Sequence, residues 1–200
     1  MTDITRKLER RVSAKADKRN EKRRQIMASA SDALRQLGYA HTSLRDIAEL
    51  SGVSLGQLHY YFEDRTDLIL FCVHHYKDAF LDDLCTAVDN VRTRTAAVQA
   101  MSAVLAGTLA RSADTHRLWY DIRGQAMFDP AFRPVVADIE ASLIAVFADL
   151  EGRIEGMTRD AAGHYAAVDG LFRYLMQTPD PLPEDRMQAA FADLLTRLWA

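Results

Sequence analysis

No stretch of this 200-residue chain approaches eighteen consecutive apolar residues, and its amino terminus has no apolar signal core, so neither a membrane span nor secretion is expected. There are two cysteines, Cys72 and Cys85. They fall on different faces of one predicted helix with no other cysteine to pair with, which excludes a disulfide framework and reads as reduced core residues of a cytoplasmic protein. Nine glycines and five prolines, three of them between Thr178 and Glu184, are too few for the turns of an all-β chain. Enzyme signatures are missing as well: no Gly-rich phosphate loop, no GxSxG elbow, no HExxH, and no Cys/His cluster with ligand spacing. His74 and His75 are adjacent and so diverge by about 100° on a helix. No catalytic residue, metal ligand or cofactor is therefore assigned, and the chain is not expected to be an enzyme.

What is present is 48% apolar residues, rich in Ala and Leu, which is enough for a core and points to an all-α fold of about nine helices. The net charge of −3 conceals an asymmetry. Residues 1–25 hold ten Lys and Arg against four Asp and Glu, leaving fifteen against twenty-four in the remainder. Residues 1–18 lack apolar periodicity and read as a flexible basic arm, either a solvated tail or a source of phosphate contacts. A DNA-binding domain is expected over residues 19–66 and a ligand-binding and dimerisation domain over residues 67–200.

The stretch from Thr42 to Leu68 carries the strongest signal. Leu44, Ile47, Ala48 and Leu50 give one apolar face to a helix that Ser43 can cap, with Asp46 near its positive end. Gly52 stands where a left-handed C-cap is needed, and Ser54 with Gln57 forms a second capping box. Two helices joined by so short a turn must cross steeply, leaving Leu55–Tyr61 as the projecting recognition helix of a helix-turn-helix. Arg45, Gln57 and His59 are the polar residues expected at base edges, and Leu55 is placed to meet a thymine methyl. Gly56 costs about 1 kcal/mol of helix stability relative to alanine, which close approach of the backbone to DNA would explain. Tyr61 and Phe62 read as core.

With IMASASDALRQLGYAH before it, this region resembles the DNA-binding domain of the TetR family of bacterial transcriptional regulators. The matching features are Gly38-Tyr39, Thr42-Ser43, Ile47-Ala48, GVS at the turn and the aromatic run ending in YYF. The sequence departs from the family pattern at His59, usually Tyr, and at Arg65, usually Lys. The resemblance implies phosphate contacts from Ser43, Ser54, Tyr60 and Arg65, with Thr42 beside them, on a double-stranded inverted-repeat operator. It also implies a homodimer joined through the last two helices.

Downstream, a first helix over about 19–37 precedes the motif, and Asp64 can cap a long fourth helix whose stripe includes Ile69, Cys72, Tyr76, Phe80 and Leu84. A fifth helix is expected to end near Arg111, a sixth to be capped by Asp114, a seventh to follow the Asp129-Pro130 break, and an eighth and ninth to flank the proline cluster. LWYDIRGQAMFDPAF is weakly similar to the carboxy-terminal domain of the betaine-repressor branch of the family. Met101, Leu105, Trp119, Tyr120, Arg123, Met127, Phe147, Tyr165 and Phe172 can line a cavity for a small-molecule effector of unspecified identity, or simply form core. Arg123 can bind an effector anion or pair with an acid such as Asp121 or Asp169. Phe172, Leu175, Phe191, Leu194 and Leu198 are the expected dimerisation residues. The function expected is a repressor released from its operator by the effector; the alternatives are an activator and a DNA-binding scaffold without an effector.

Overall fold

The computed structural model describes residues 20–34 and 42–200. The basic arm and the Gly38-Tyr39 turn lie outside these residues. Among the described residues the regular structure is entirely helical: α1 over 20–34, α2 Leu44–Ser51, α3 Leu55–Tyr61, α4 Arg65–Val88, α5 Arg94–Gln125, a 3-10 turn Pro130–Phe132, α6 Arg133–Arg153, α7 Ala161–Gln177 and α8 Glu184–Leu198. Two compact units result, Met1–Val73 and His74–Ala200, so α4 supplies residues to both.

In the first unit, Ile26, Ala30, Ala33 and Leu34 of α1 are buried, as are Ile47 of α2, Leu58 of α3, Phe62 and, from α4, Leu68, Ile69 and Cys72. A charged group braces this core. The Arg23 guanidinium bonds Asp67 at 3.0 Å and lies 4.6 Å from the Phe62 ring centroid and 4.3 Å from that of Phe71. One cation thus ties α1 to α4 and to the residue that ends α3, joining an ion pair with cation–π attraction. Of the two cysteines, only Cys72 belongs to the core; Cys85 is exposed, because it sits off the buried stripe of α4.

In the second unit α5 packs along α8, α6 on α7, and α7 on α8. The expected fifth and sixth helices are one element. Thr93 caps α5, and Ser112 alone has non-helical backbone angles (φ −136°, ψ 27°). No glycine or proline stands between Arg111 and Asp114, so the chain kinks and resumes its buried stripe of Leu118, Trp119 and Ile122. Asp114 consequently lies inside the helix, paired with Arg117, and caps nothing. The Asp129-Pro130 break occurs as expected, with the Asp129 side chain accepting from the Ala131 N–H and a single 3-10 turn leading into α6.

The second unit also buries a polar knot. Glu151, at the end of α6, accepts from the Trp199 indole N–H (3.3 Å) and the Asp160 backbone N–H (2.9 Å), and bonds His164 Nδ1 of α7 (2.7 Å). Glu151 is 2% exposed, His164 5% and Trp199 0%. One carboxylate therefore fixes three chain segments around it, and each partner is stranded if it is removed. Glu151→Ala is expected to lower stability by about 3–5 kcal/mol, the usual cost of breaking a buried hydrogen-bonded charge set. Urea denaturation followed by circular dichroism measures this; a loss below about 1 kcal/mol would show that the knot contributes little.

Candidate functional site

The helix-turn-helix is built by its caps. Ser43 is the N-cap of α2: its hydroxyl accepts from the Asp46 N–H (3.2 Å), and the Asp46 carboxylate accepts from the Ser43 N–H (2.8 Å). These bonds hold the Asp46 carboxyl below the usual range. Gly52 ends the helix in the left-handed region (φ 63°), its N–H reaching back to Ala48 and Glu49. Ser54 and Gln57 repeat the box on α3, with Ser54 N–H to Gln57 Oε1 at 3.1 Å and Gln57 N–H to Ser54 Oγ at 3.2 Å.

On this scaffold Ser43, Arg45, Ser54, Gly56, Gln57, His59 and Tyr60 are exposed, while Leu55 and Arg65 are half-buried. Tyr60 stands out at 67% exposure, its ring edge-on to Tyr61. A Cβ on Gly56 would meet nothing within 4 Å, and its φ is not positive, so neither packing nor backbone geometry within the chain requires glycine there. Two expectations change. Thr42 is 3% exposed, packed inside the unit because it precedes the cap, and is not available to DNA through its side chain. Gln57 is not idle before DNA arrives: its carbonyl oxygen closes the cap, so reading adenine with both amide groups requires giving up that bond.

In the second unit a cavity of about 40 Å³ lies between α4, α5, α6 and α7. Seven of the expected residues, Met101, Leu105, Trp119, Tyr120, Phe147, Tyr165 and Phe172, line it. Met127 does not: it is 74% exposed, because α5 ends at Gln125 and the chain turns outward before the 3-10 turn. Arg123 is committed to acids, with its Nη1 2.5 Å from Asp169 Oδ2 and its Nε 2.6 Å from Glu140 Oε1, so the structure favours the salt-bridge reading over the effector anchor. The Trp199 ring centroid lies 6.1 Å from that of Phe147, a lining residue.

Three polar lining residues were not foreseen: Lys77, His116 and Asp169. Lys77 is 3% exposed, with its ammonium 4.6 Å from the Trp119 ring centroid, 5.0 Å from Phe80 and 5.5 Å from Tyr76. Burial pushes its pKa down to about 7, with Asp169 opposing and Arg123 reinforcing the shift. His116 is held between the Tyr76 hydroxyl (2.7 Å) and the Thr108 hydroxyl (2.9 Å), and burial, with Lys77 nearby, keeps it neutral. Burial likewise raises the Tyr76, Tyr120 and Tyr165 phenols above their ordinary range, so they remain hydroxyl donors. A signal for Lys77 existed in the spacing Val73, Lys77, Phe80, Leu84, which places it on the buried stripe of α4.

The expected dimerisation residues divide into two groups. Phe172 (5% exposed), Leu175 (6%) and Phe191 (0%) are core of their own unit and are not available to a second copy. Helix spacing placed them correctly on apolar faces but could not say which of two faces points inward. Leu194 and Leu198 are half-buried, and Leu194 lines a surface groove between α7 and α8 with Ala167, Leu171 and Ala190, rimmed by Asp193 and Arg197.

No helix among the described residues is long and apolar enough to cross a membrane, and no group of three or more His, Cys, Asp or Glu among them is arranged to hold a metal ion. No curated protein matches the chain by sequence. Its fold is shared by solved structures. A structure assigned to a TetR-family transcriptional regulator from Rhodococcus sp. is 18% identical at TM-score 0.75, covering 90% of this chain and 100% of that one. FadR from Bacillus subtilis, in complex with stearoyl-CoA, is 14% identical at TM-score 0.72, covering 88% and 98%. The ketosteroid transcriptional regulator KstR2 of Mycobacterium tuberculosis is 16% identical at TM-score 0.68, covering 90% and 95%. Residues 26–71 match the bacterial regulatory proteins of the tetR family, and residues 93–200 match the carboxy-terminal domain of BetI-type transcriptional repressors. With more than half its length so matched, the chain belongs to the TetR family of bacterial transcriptional regulators.

Proposed function

We propose that the protein is a repressor that binds an inverted-repeat operator as a homodimer and leaves it when a small molecule enters the cavity of the second unit. The observation that carries the DNA half is α3 itself: a seven-residue helix with a capping box at its start, exposed along Gly56, Gln57, His59 and Tyr60, and bearing a glycine that the fold does not require. In this reading Arg45 and His59 contact base edges and Ser43, Ser54, Tyr60 and Arg65 contact phosphates, which the exposure of all but the half-buried Arg65 supports. A helix this short reads few bases, so useful specificity needs two copies about 34–36 Å apart. Relatives of the same fold support the ligand half, FadR being solved with stearoyl-CoA bound.

The means of coupling lies in α4. It gives Leu68 and Ile69 to the core that holds α3, and Lys77, Phe80 and Leu84 to the wall of the cavity. An effector shifts DNA affinity only if it binds the two forms of the protein unequally, and a helix shared by both cores is the element through which it can do so. The operator is found by selecting genomic fragments on the purified protein; a failure to enrich any sequence over random DNA would remove the specific-regulator reading, and transcription from a promoter carrying the enriched site separates repression from activation.

Two substitutions test the geometry. Gly56→Ala is expected to raise stability by up to about 1 kcal/mol through helix propensity while weakening operator binding roughly tenfold or more, because the methyl group stands where the backbone approaches DNA. Fluorescence anisotropy with the selected site measures the second effect, and an unchanged affinity would place DNA elsewhere. Leu194→Arg puts a charge in the α7–α8 groove and is expected to give folded monomers with little operator affinity. Sedimentation of the wild-type protein as a monomer at micromolar concentration would refute the dimer.

A further inference from the structure

The cavity of the second unit offers hydrogen-bond donors that its own residues leave unused, and this specifies the chemistry of what it takes. Among the described residues no hydrogen bond or ion pair reaches the Lys77 ammonium, which lies over the rings of Trp119, Phe80 and Tyr76 and feels Asp169 and Arg123 only through longer-range electrostatics. The Tyr165 hydroxyl, on a side chain 8% exposed, has no hydrogen-bond partner. The one carboxylate among the lining residues, in contrast, is engaged. Asp169 Oδ1 accepts from the Tyr120 hydroxyl at 2.8 Å and its Oδ2 from Arg123 at 2.5 Å, while Glu140, which does not line the cavity, is held by the same arginine as an ion pair, its Oε1 accepting no hydrogen bond. His116 is occupied by Tyr76 and Thr108. The rest of the wall is apolar, including Leu84, Met101, Leu143, Phe147 and Val168.

We propose that this cavity is a binding site for small monocarboxylates, the carboxylate seated on Lys77 Nζ and the Tyr165 hydroxyl and the apolar tail lying against Leu143, Phe147 and Val168. The inference rests on the reading of this cavity as the effector site and names the effector's class. A cationic ligand would meet an ammonium with both nearby carboxylates already bound to Arg123. A neutral carbonyl compound would satisfy Tyr165 but bring no counter-charge to Lys77, so it gains nothing from the protonated lysine and, below about pH 7, leaves a buried ammonium unpaired. Volume selects short acids: about 40 Å³ holds roughly three waters, so a short chain enters with little movement of the walls and a bulky one needs more.

Binding of an anion has a second consequence. Burial pushes the Lys77 pKa down to about 7, outweighing the attraction of Asp169. A carboxylate beside it favours the ammonium and raises that value, so at pH values above about 7 the protein takes up protons as the acid binds. The other ionisable groups around Lys77 do not compete for this role: Tyr76, Tyr120 and Tyr165 are held protonated, His116 is held neutral, and Asp169, Arg123 and Glu140 are engaged with one another.

The test uses butyrate, its neutral isostere butyramide and the cation butylammonium, titrated calorimetrically into the full-length protein near pH 8 in phosphate and in Tris, whose ionisation heats differ. Butyrate is expected to bind at least roughly tenfold tighter than either analogue, with an apparent enthalpy that differs between the buffers in the sense of proton uptake. Lys77→Met is expected to fold, since it replaces a buried charge by an apolar chain of similar length, and to lose both the preference and the buffer dependence. Tyr165→Phe is expected to weaken butyrate several-fold and leave butyramide less affected. Butyramide or butylammonium binding as well as butyrate, no binding of butyrate, or buffer-independent heats in the wild-type protein would each overturn the proposal, the last without reliance on any variant. Operator binding separates the two readings: butyrate that binds as described without altering DNA affinity leaves the anion site standing and removes its effector role. Release of DNA by a neutral or cationic analogue does the reverse.

Discussion

A lysine ammonium enclosed by aromatic rings, with the neighbouring carboxylates already bound to an arginine, is the constraint on which the second unit turns. Burying such a group costs free energy that the rings only partly return, since a cation–π contact contributes about 2 kcal/mol when desolvated and a buried charge loses more than that in hydration. The unit tolerates the cost because Lys77 sits on a helix anchored at both ends of its length: Leu68, Ile69 and Cys72 are buried in one core, and Phe80, Leu84 and Val88 in the other. Under the proposed function, a ligand that satisfies the ammonium acts through α4. This makes the strained residue and the element that carries the proposed switch one and the same.

The two polar clusters of the second unit serve opposite ends. Around Glu151 every donor finds its acceptor, and the result is a knot that joins α6, α7 and the end of α8 with no capacity left over. Around Lys77 the lining carboxylate, Asp169, is engaged with Tyr120 and Arg123 while two donors remain, which is a poor arrangement for stability alone and suits the proposed recognition of an anion. A site of this kind gives specificity through the penalty it imposes on ligands that lack the matching group.

How much of this was legible in the sequence depends on how local the determinant is. The recognition helix was readable to its last residue because its limits are set by neighbours: Ser43 with Asp46, Gly52, and Ser54 with Gln57 all act within four positions. The aromatic and Met lining of the cavity was readable because such residues recur at helical spacing. Lys77 was not, since the run His75-Tyr76-Lys77-Asp78 looks like a solvated face unless its register with Val73 and Phe80 is followed. Phe172 and Phe191 were assigned to an interface although they are core, because periodicity reports an apolar face but not what covers it. The kink at Ser112 leaves one helix where two were expected, since nothing at that point breaks a helix outright.

The central claim is that cavity and operator bind in competition through α4, and a reciprocal titration tests it most directly. The affinity of the protein for its selected operator is measured with and without saturating ligand, and the affinity for that ligand with and without saturating operator. The account predicts that the two ratios are equal and fall at roughly 5- to 150-fold, the span of couplings of about 1–3 kcal/mol. A ligand that fills the cavity with both ratios equal to one would show that α4 transmits nothing and that the cavity and the DNA-reading helix work independently.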